Sequence, residues 1–147
     1  MFKFSQNQSQ PAAHAPEQES IKGTHFLGKL PYRDYLSVLQ ISSAHVYLTY
    51  PFVLSWSLLE AMACGCRIIA SDTAPVREVI EDGVHGALVD FFDTSALYTQ
   101  LKGALLNDAS DLKKKAFERT RNTYCCEVAS SKYEAAIHDG MLIREMY

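Results

Sequence analysis

Glu60 closes the string LSWSLLE, one turn into a helical stretch that follows the β-rich run HVYLTY at residues 45–50. A strand, a turn, a helix start and an early carboxylate make a chemically useful set. Unpaired N–H groups at a helix N-terminus favour phosphate, and a carboxylate can accept hydrogen bonds from the hydroxyls of a ribose. Together they would grip a nucleoside diphosphate. The same letters have a plainer use. Ser57 stands three residues before Glu60, and S-x-x-E is a capping box that ties off orphan N–H groups. Spacing alone favours the box, and Ser55 and Ser57 serve more often as caps than as phosphate ligands.

The other reactive side chains form no comparable set. Cys64, Cys66, Cys125 and Cys126 lack the C-x2-C spacing of a zinc ribbon, and vicinal Cys125 and Cys126 are poorly placed to bridge. His14, His25, His45, His85 and His138 are scattered without ligand spacing. No metal or redox cofactor is expected, and the thiols read as small packed side chains. Lys113, Lys114 and Lys115 with Arg119 and Arg121 could meet a membrane or a lipid-linked acceptor, but read first as a solvated helix face.

The whole chain bounds these readings. Its 147 residues suffice for one domain with a core. A hydrophobic content of 48% and a charged content of 21% are those of an ordinary globular protein. A net charge of −3 predicts no bulk attraction to nucleic acid or anionic membrane. No apolar run approaches the ~20 residues that span a bilayer. The first twenty residues lack the apolar region of a secretory signal, so the expected compartment is the cytoplasm.

The elements that must position Glu60 follow from pattern. Residues 1–23, rich in Gln, Ser, Pro and Ala, read as a disordered leader or linker, and residues 24–147 as the folded domain. THFL at 24–27 predicts a short strand stopped by Gly28. Pro31 suits the first turn of a helix carrying Tyr35, Leu36, Val38 and Leu39 at helical spacing. Residues 45–50 predict a strand, and residues 55–64 a helix with Leu58, Leu59 and Met62 buried and Gly65 as its stop. The near-continuous apolar run CRIIA at 66–70 suits a strand covered on both faces. A short helix at 75–81, a strand at 86–89 and a helix to Leu106 capped by Asp93 or Thr94 follow. The rest, from Asp111 to His138, reads as helix with a break at 122–125. The expected fold is therefore α/β, a Rossmann-like parallel sheet with helices on both faces. Its ligand crevice would lie beyond the strand C-termini, at residues 50–57 and 71–75. A flavodoxin-like or phospho-receiver domain shares the alternation but needs an acidic cluster after an early strand, which is lacking.

Longer strings add a resemblance. LLEAMACGCRIIASD, followed by APVREVIEDGVHGALVD, closely resembles the nucleotide-sugar-binding half of retaining GT-B glycosyltransferases, the group 1 or family 4 class. The resemblance begins at HFLGKL, covers residues 24–108 and fades through the C-terminal helices. It implies one half of a two-domain fold that moves a hexosyl group from a UDP-, GDP- or ADP-sugar to an acceptor, without a metal, in glycan biosynthesis. On this likeness Glu60 matches the second Glu of an E-x7-E motif and would bind the donor ribose. Val53, Leu54, Ser55, Trp56 and Ser57 match the loop that holds the donor phosphates. Gly28, Lys29 and Leu30 match the segment against the nucleobase. Glu78 matches a Glu whose alternative use is to close its own helix.

Two departures stand out. Eight residues before Glu60 lies Phe52, where the family has the Glu that faces the transferred sugar. Val53 and Ser55 replace glycines, which let a backbone approach phosphate most closely. The family's acceptor-binding domain and its diphosphate-neutralising Arg and Lys find no counterpart here, and Lys22 and Lys29 do not fit their pattern. A helix dipole alone supplies ~0.3–2 kcal/mol, whereas enzymatic accelerations correspond to ~8–23 kcal/mol. The chain by itself is thus expected to transfer sugar poorly or not at all. Its expected partner is a separate acceptor-binding chain or a missing N-terminal domain. Within a complete enzyme, peripheral association with the inner membrane face would be compatible with this. The alternative is a non-catalytic nucleotide-sugar-binding or assembly module.

Overall fold

The computed structural model describes residues 22–50 and 54–145. They belong to two units, Met1–Leu30 and Pro31–Tyr147. In the first unit, Lys22 and Gly23 form a turn and residues 24–27 have no regular structure, so the strand expected there is absent. A strand needs a partner to satisfy its backbone, and the described ladders join three other segments. The leader expected at residues 1–23 otherwise lies outside the described residues.

The second unit is the α/β body. Its helices are α1 (Tyr32–Ile41), α2 (Trp56–Ala63), α3 (Ala74–Arg77), α4 (Thr94–Leu106), α5 (Ser110–Tyr124) and α6 (Cys126–Glu145). Strands β1 (His45–Tyr47), β2 (Ile68–Ser71) and β3 (Ala87–Val89) pair in parallel in the order β1-β2-β3. Ile69 of the central strand faces Val46 on one side and Ala87 on the other.

All of β2 is buried, as its apolar run requires. Ile68 and Ala70 pack on one face with Leu39, Leu58, Met62, Val76, Ile80 and Ala116, drawn from α1, α2, α5 and the α3 region. Ile69 packs on the other with Val89 and Ala104 of α4. The two faces are each covered by helices, as the strand pattern predicts.

Local chemistry sets the boundaries. Helix α2 ends in a Schellman motif. Cys66 N–H bonds to Ala61 O (3.0 Å), Gly65 N–H to Met62 O (3.0 Å), and Gly65 takes φ +74°, which glycine adopts without strain. Strand β1 stops at Tyr47 and not at Tyr50, because a side chain replaces its ladder. Thr49 N–H donates to Ser71 Oγ (2.9 Å), and Ser71 Oγ donates back to Thr49 O (2.8 Å). Helix α3 ends four residues earlier than the expected 81. Beyond it the Arg119 guanidinium holds Val79 O (2.6 Å) and Glu78 O (2.9 Å), bracing a turn. Asp93 caps α4 through Ala96 N–H (2.8 Å), and α5 gives way to α6 at Cys125, both where the sequence places them.

Candidate functional site

The Thr49–Ser71 exchange ties the loop after β1 to the last residue of β2 at the carboxyl edge of the sheet. In parallel α/β sheets that edge is where ligands bind. Helix α2 starts there. Ser55 is its N-cap, its hydroxyl accepting from Ser57 N–H (3.3 Å) and from Ser57 Oγ (3.1 Å). Tyr47, the last residue of β1, accepts at its hydroxyl from Ser55 N–H (2.9 Å). Strand end and helix start are thereby pinned to each other. Two amides of the expected phosphate loop, those of Ser55 and Ser57, are engaged within the protein.

The capping-box use of Glu60 is not what forms. With Ser55 as N-cap, Glu60 is the fifth residue of α2 and lies beyond the box position. Its carboxylate turns instead toward α1, where Tyr32 Oη donates to Oε1 (3.1 Å). Tyr35 stands on the same face of α1, and its hydroxyl is buried with no hydrogen-bond partner. Burial, and then the nearby Glu60, push the Tyr35 phenol up to about 12. Tyr32 is raised by the same carboxylate, chiefly through their hydrogen bond. Among the described residues Glu60 has no cationic partner. A half-buried carboxylate that accepts from one neutral hydroxyl is suited to accept further hydroxyls.

Leu54, Ser55, Trp56, Ser57 and Glu60 stand together on one helix start, with the Trp56 ring 77% exposed. Phe52 and Val53 lie outside the described residues. Gly28, Lys29 and Leu30 belong to the first unit. Glu78 caps the C-terminus of α3 with its side chain exposed. Of the basic run, Arg119 is taken up by backbone carbonyls, while Lys114 and Lys115 pair with Glu118 and Asp111 along the helix.

A second concavity, of about 450 Å³, lies beside Asp72, Arg77, Glu81, Asp82 and Arg119. Arg77 forms a two-pronged ion pair with Asp72, which holds that carboxyl below the usual range. Its three carboxylates outnumber its two guanidiniums, so it offers a diphosphate no excess positive charge. Among the described residues no cluster could hold a metal ion. No described helix is long and apolar enough to cross a membrane.

Tyr32 and Tyr47 escape sequence reasoning, whereas Ser71 lies in the segment expected at the ligand edge. Tyr32 lies 28 residues from Glu60, and no local pattern links such positions. Only the i, i+3 spacing of Tyr32 and Tyr35, which aligns two hydroxyls on one helix face, is a visible hint.

Comparison with known proteins identifies the family and the fold. A family model described as glycosyl transferases group 1 matches residues 5–123. Over 68 residues the chain is 35% identical to an uncharacterised glycosyltransferase of Methanocaldococcus jannaschii, covering 46% of this chain and 17% of that protein. The structure of a sucrose-phosphate synthase from Thermosynechococcus elongatus matches with a TM-score of 0.59 and 28% identity, covering 83% of this chain and 30% of the other. The chain thus spans less than a third of the length of either relative.

Proposed function

Because the chain belongs to the glycosyl transferase group 1 family, we propose that it forms the donor-binding part of a hexosyltransferase and holds a UDP-, GDP- or ADP-sugar. Glu60 takes the ribose hydroxyls. The loop of Val53, Leu54, Ser55, Trp56 and Ser57 takes the diphosphate, and Phe52 the sugar. With the Ser55 and Ser57 amides engaged internally, the amides of Leu54 and Trp56 are the phosphate donors that this loop offers among its described residues. In the complete enzyme an acceptor hydroxyl meets the anomeric carbon. The new glycosidic C–O bond forms as the bond to the diphosphate breaks, and the acceptor proton passes to a donor phosphate oxygen.

The observation that carries this reading is Glu60 itself, a carboxylate at the ligand edge of the sheet with no cationic partner among the described residues, already receiving a neutral hydroxyl. Ligand that binds only the native state raises its stability, by ~2.7 kcal/mol at a hundred times Kd. Melting of the chain with UDP-, GDP- and ADP-sugars should therefore show an upward shift with at least one. A flat response to all three at millimolar concentration contradicts the proposal.

A second reading, a non-catalytic binding or assembly module completed by a separate acceptor-binding chain, has one feature in its favour. Trp56, Leu59, Tyr124 and Tyr133 line an apolar groove of about 490 Å³, with Trp56 and Tyr133 77% and 72% exposed. Such a surface suits contact with another domain. Donor hydrolysis by the chain alone would count against this second reading.

A further inference from the structure

We propose that Tyr32 is a positioning residue that, with Tyr35 beneath it, presents the Glu60 carboxylate to the vicinal diol of a ribose. The inference rests on the reading of Glu60 as the ribose ligand. Tyr32 opens α1 directly after Pro31, and the amides of Asp34 and Tyr35 both bond to Pro31 O at 3.0 Å. The first turn of α1 is therefore set by its own backbone before any ligand arrives. From that turn the Tyr32 hydroxyl reaches Glu60 Oε1 across the α1–α2 contact.

The choice of donor matters. An ionised carboxylate has about four acceptor sites, and one phenol occupies a single site on Oε1. No Lys or Arg pairs with either oxygen among the described residues, so acceptor sites remain for a ligand. Both phenols titrate above their ordinary value, so at neutral pH each keeps its proton and can act only as a donor to the carboxylate. The unpartnered Tyr35 hydroxyl is buried beside the same group. A buried hydroxyl without a bond is unfavourable, so Tyr35 offers Glu60 a second hold if the carboxylate rotates. The ring centroids of Tyr32 and Tyr35 lie 6.2 Å apart with the ring planes tilted by 35°, so the two phenols stand side by side on α1. Fixing a flexible Glu before the ligand binds removes an ordering cost from binding.

The test uses the full chain and titrates UDP, GDP and ADP, each beside its 2′,3′-dideoxy counterpart. The variants are Tyr32→Phe and Glu60→Ala. Tyr32 is 63% exposed, so Phe is accommodated there without repacking, and matching melting curves confirm it. The wild-type chain should prefer the ribose form of the base that it accepts, and Glu60→Ala should lose that preference. Tyr32→Phe should reduce the preference about threefold to tenfold, the worth of one hydrogen bond, with dideoxy affinity unchanged. An unaltered preference, or tighter ribose binding, in Tyr32→Phe overturns the role of Tyr32 while the loss in Glu60→Ala leaves the ribose assignment standing. An equal preference in wild type and Glu60→Ala overturns both.

Discussion

A carboxylate held by a phenol differs from one held by a guanidinium, and Glu60 and Asp72 show the two cases. Asp72 is neutralised by Arg77, and its carboxyl is drawn below the usual range. Its charge is spent on the protein. Glu60 has no cationic partner among the described residues and accepts from the Tyr32 hydroxyl. Titration of buried groups gives a separate test at this scale. His45 lies in the sheet with Nε2 buried and unpartnered, and burial lowers it from its ordinary 6.5. His85 moves the same way, first by burial and then by Arg119. A lowered histidine leaves the unfolded chain binding more protons, so stability falls as pH drops below 6.5 toward the folded value. Urea unfolding at about pH 7.5 and about pH 5.5 should show this loss, and His45→Gln should shrink it. An identical pH dependence in the variant would show that His45 does not contribute.

The turn before β3 crosses close against the start of β2. A Cβ added at Gly86 would meet Ile68 Cβ and Ile68 O, both at 2.9 Å. Neither atom can move without shifting a central strand. Gly86→Ala should therefore cost about 1–3 kcal/mol, read as a lower melting temperature, and an unchanged melt would mean that the turn is loose. Elements were legible where chemistry is local. The Gly65 stop, the Asp93 cap, the apolar run of β2 and the break near Cys125 all follow from neighbours in sequence. What failed depends on distant partners. Strand β1 is shortened by Ser71, the end of α3 is braced by Arg119 from α5, and residues 24–27 find no ladder.

For the whole molecule, family and fold class were readable because the motif strings span consecutive elements of a parallel sheet. The candidate site was half readable. Glu60 and the α2 start carry their own signature, yet the cap could be placed at Ser57 because letters alone do not show where the first helical turn begins. The partner of Glu60 lies on another helix, out of reach of any local pattern. The central claim, that this carboxylate holds a nucleotide, is tested most directly by calorimetric titration of UDP, GDP and ADP into the wild-type chain and Glu60→Ala. Losing hydrogen bonds to a charged group corresponds to about tenfold or more in affinity, so the variant should bind the accepted nucleotide at least that much more weakly with its melting curve intact. Equal affinity in the two folded proteins would contradict the account.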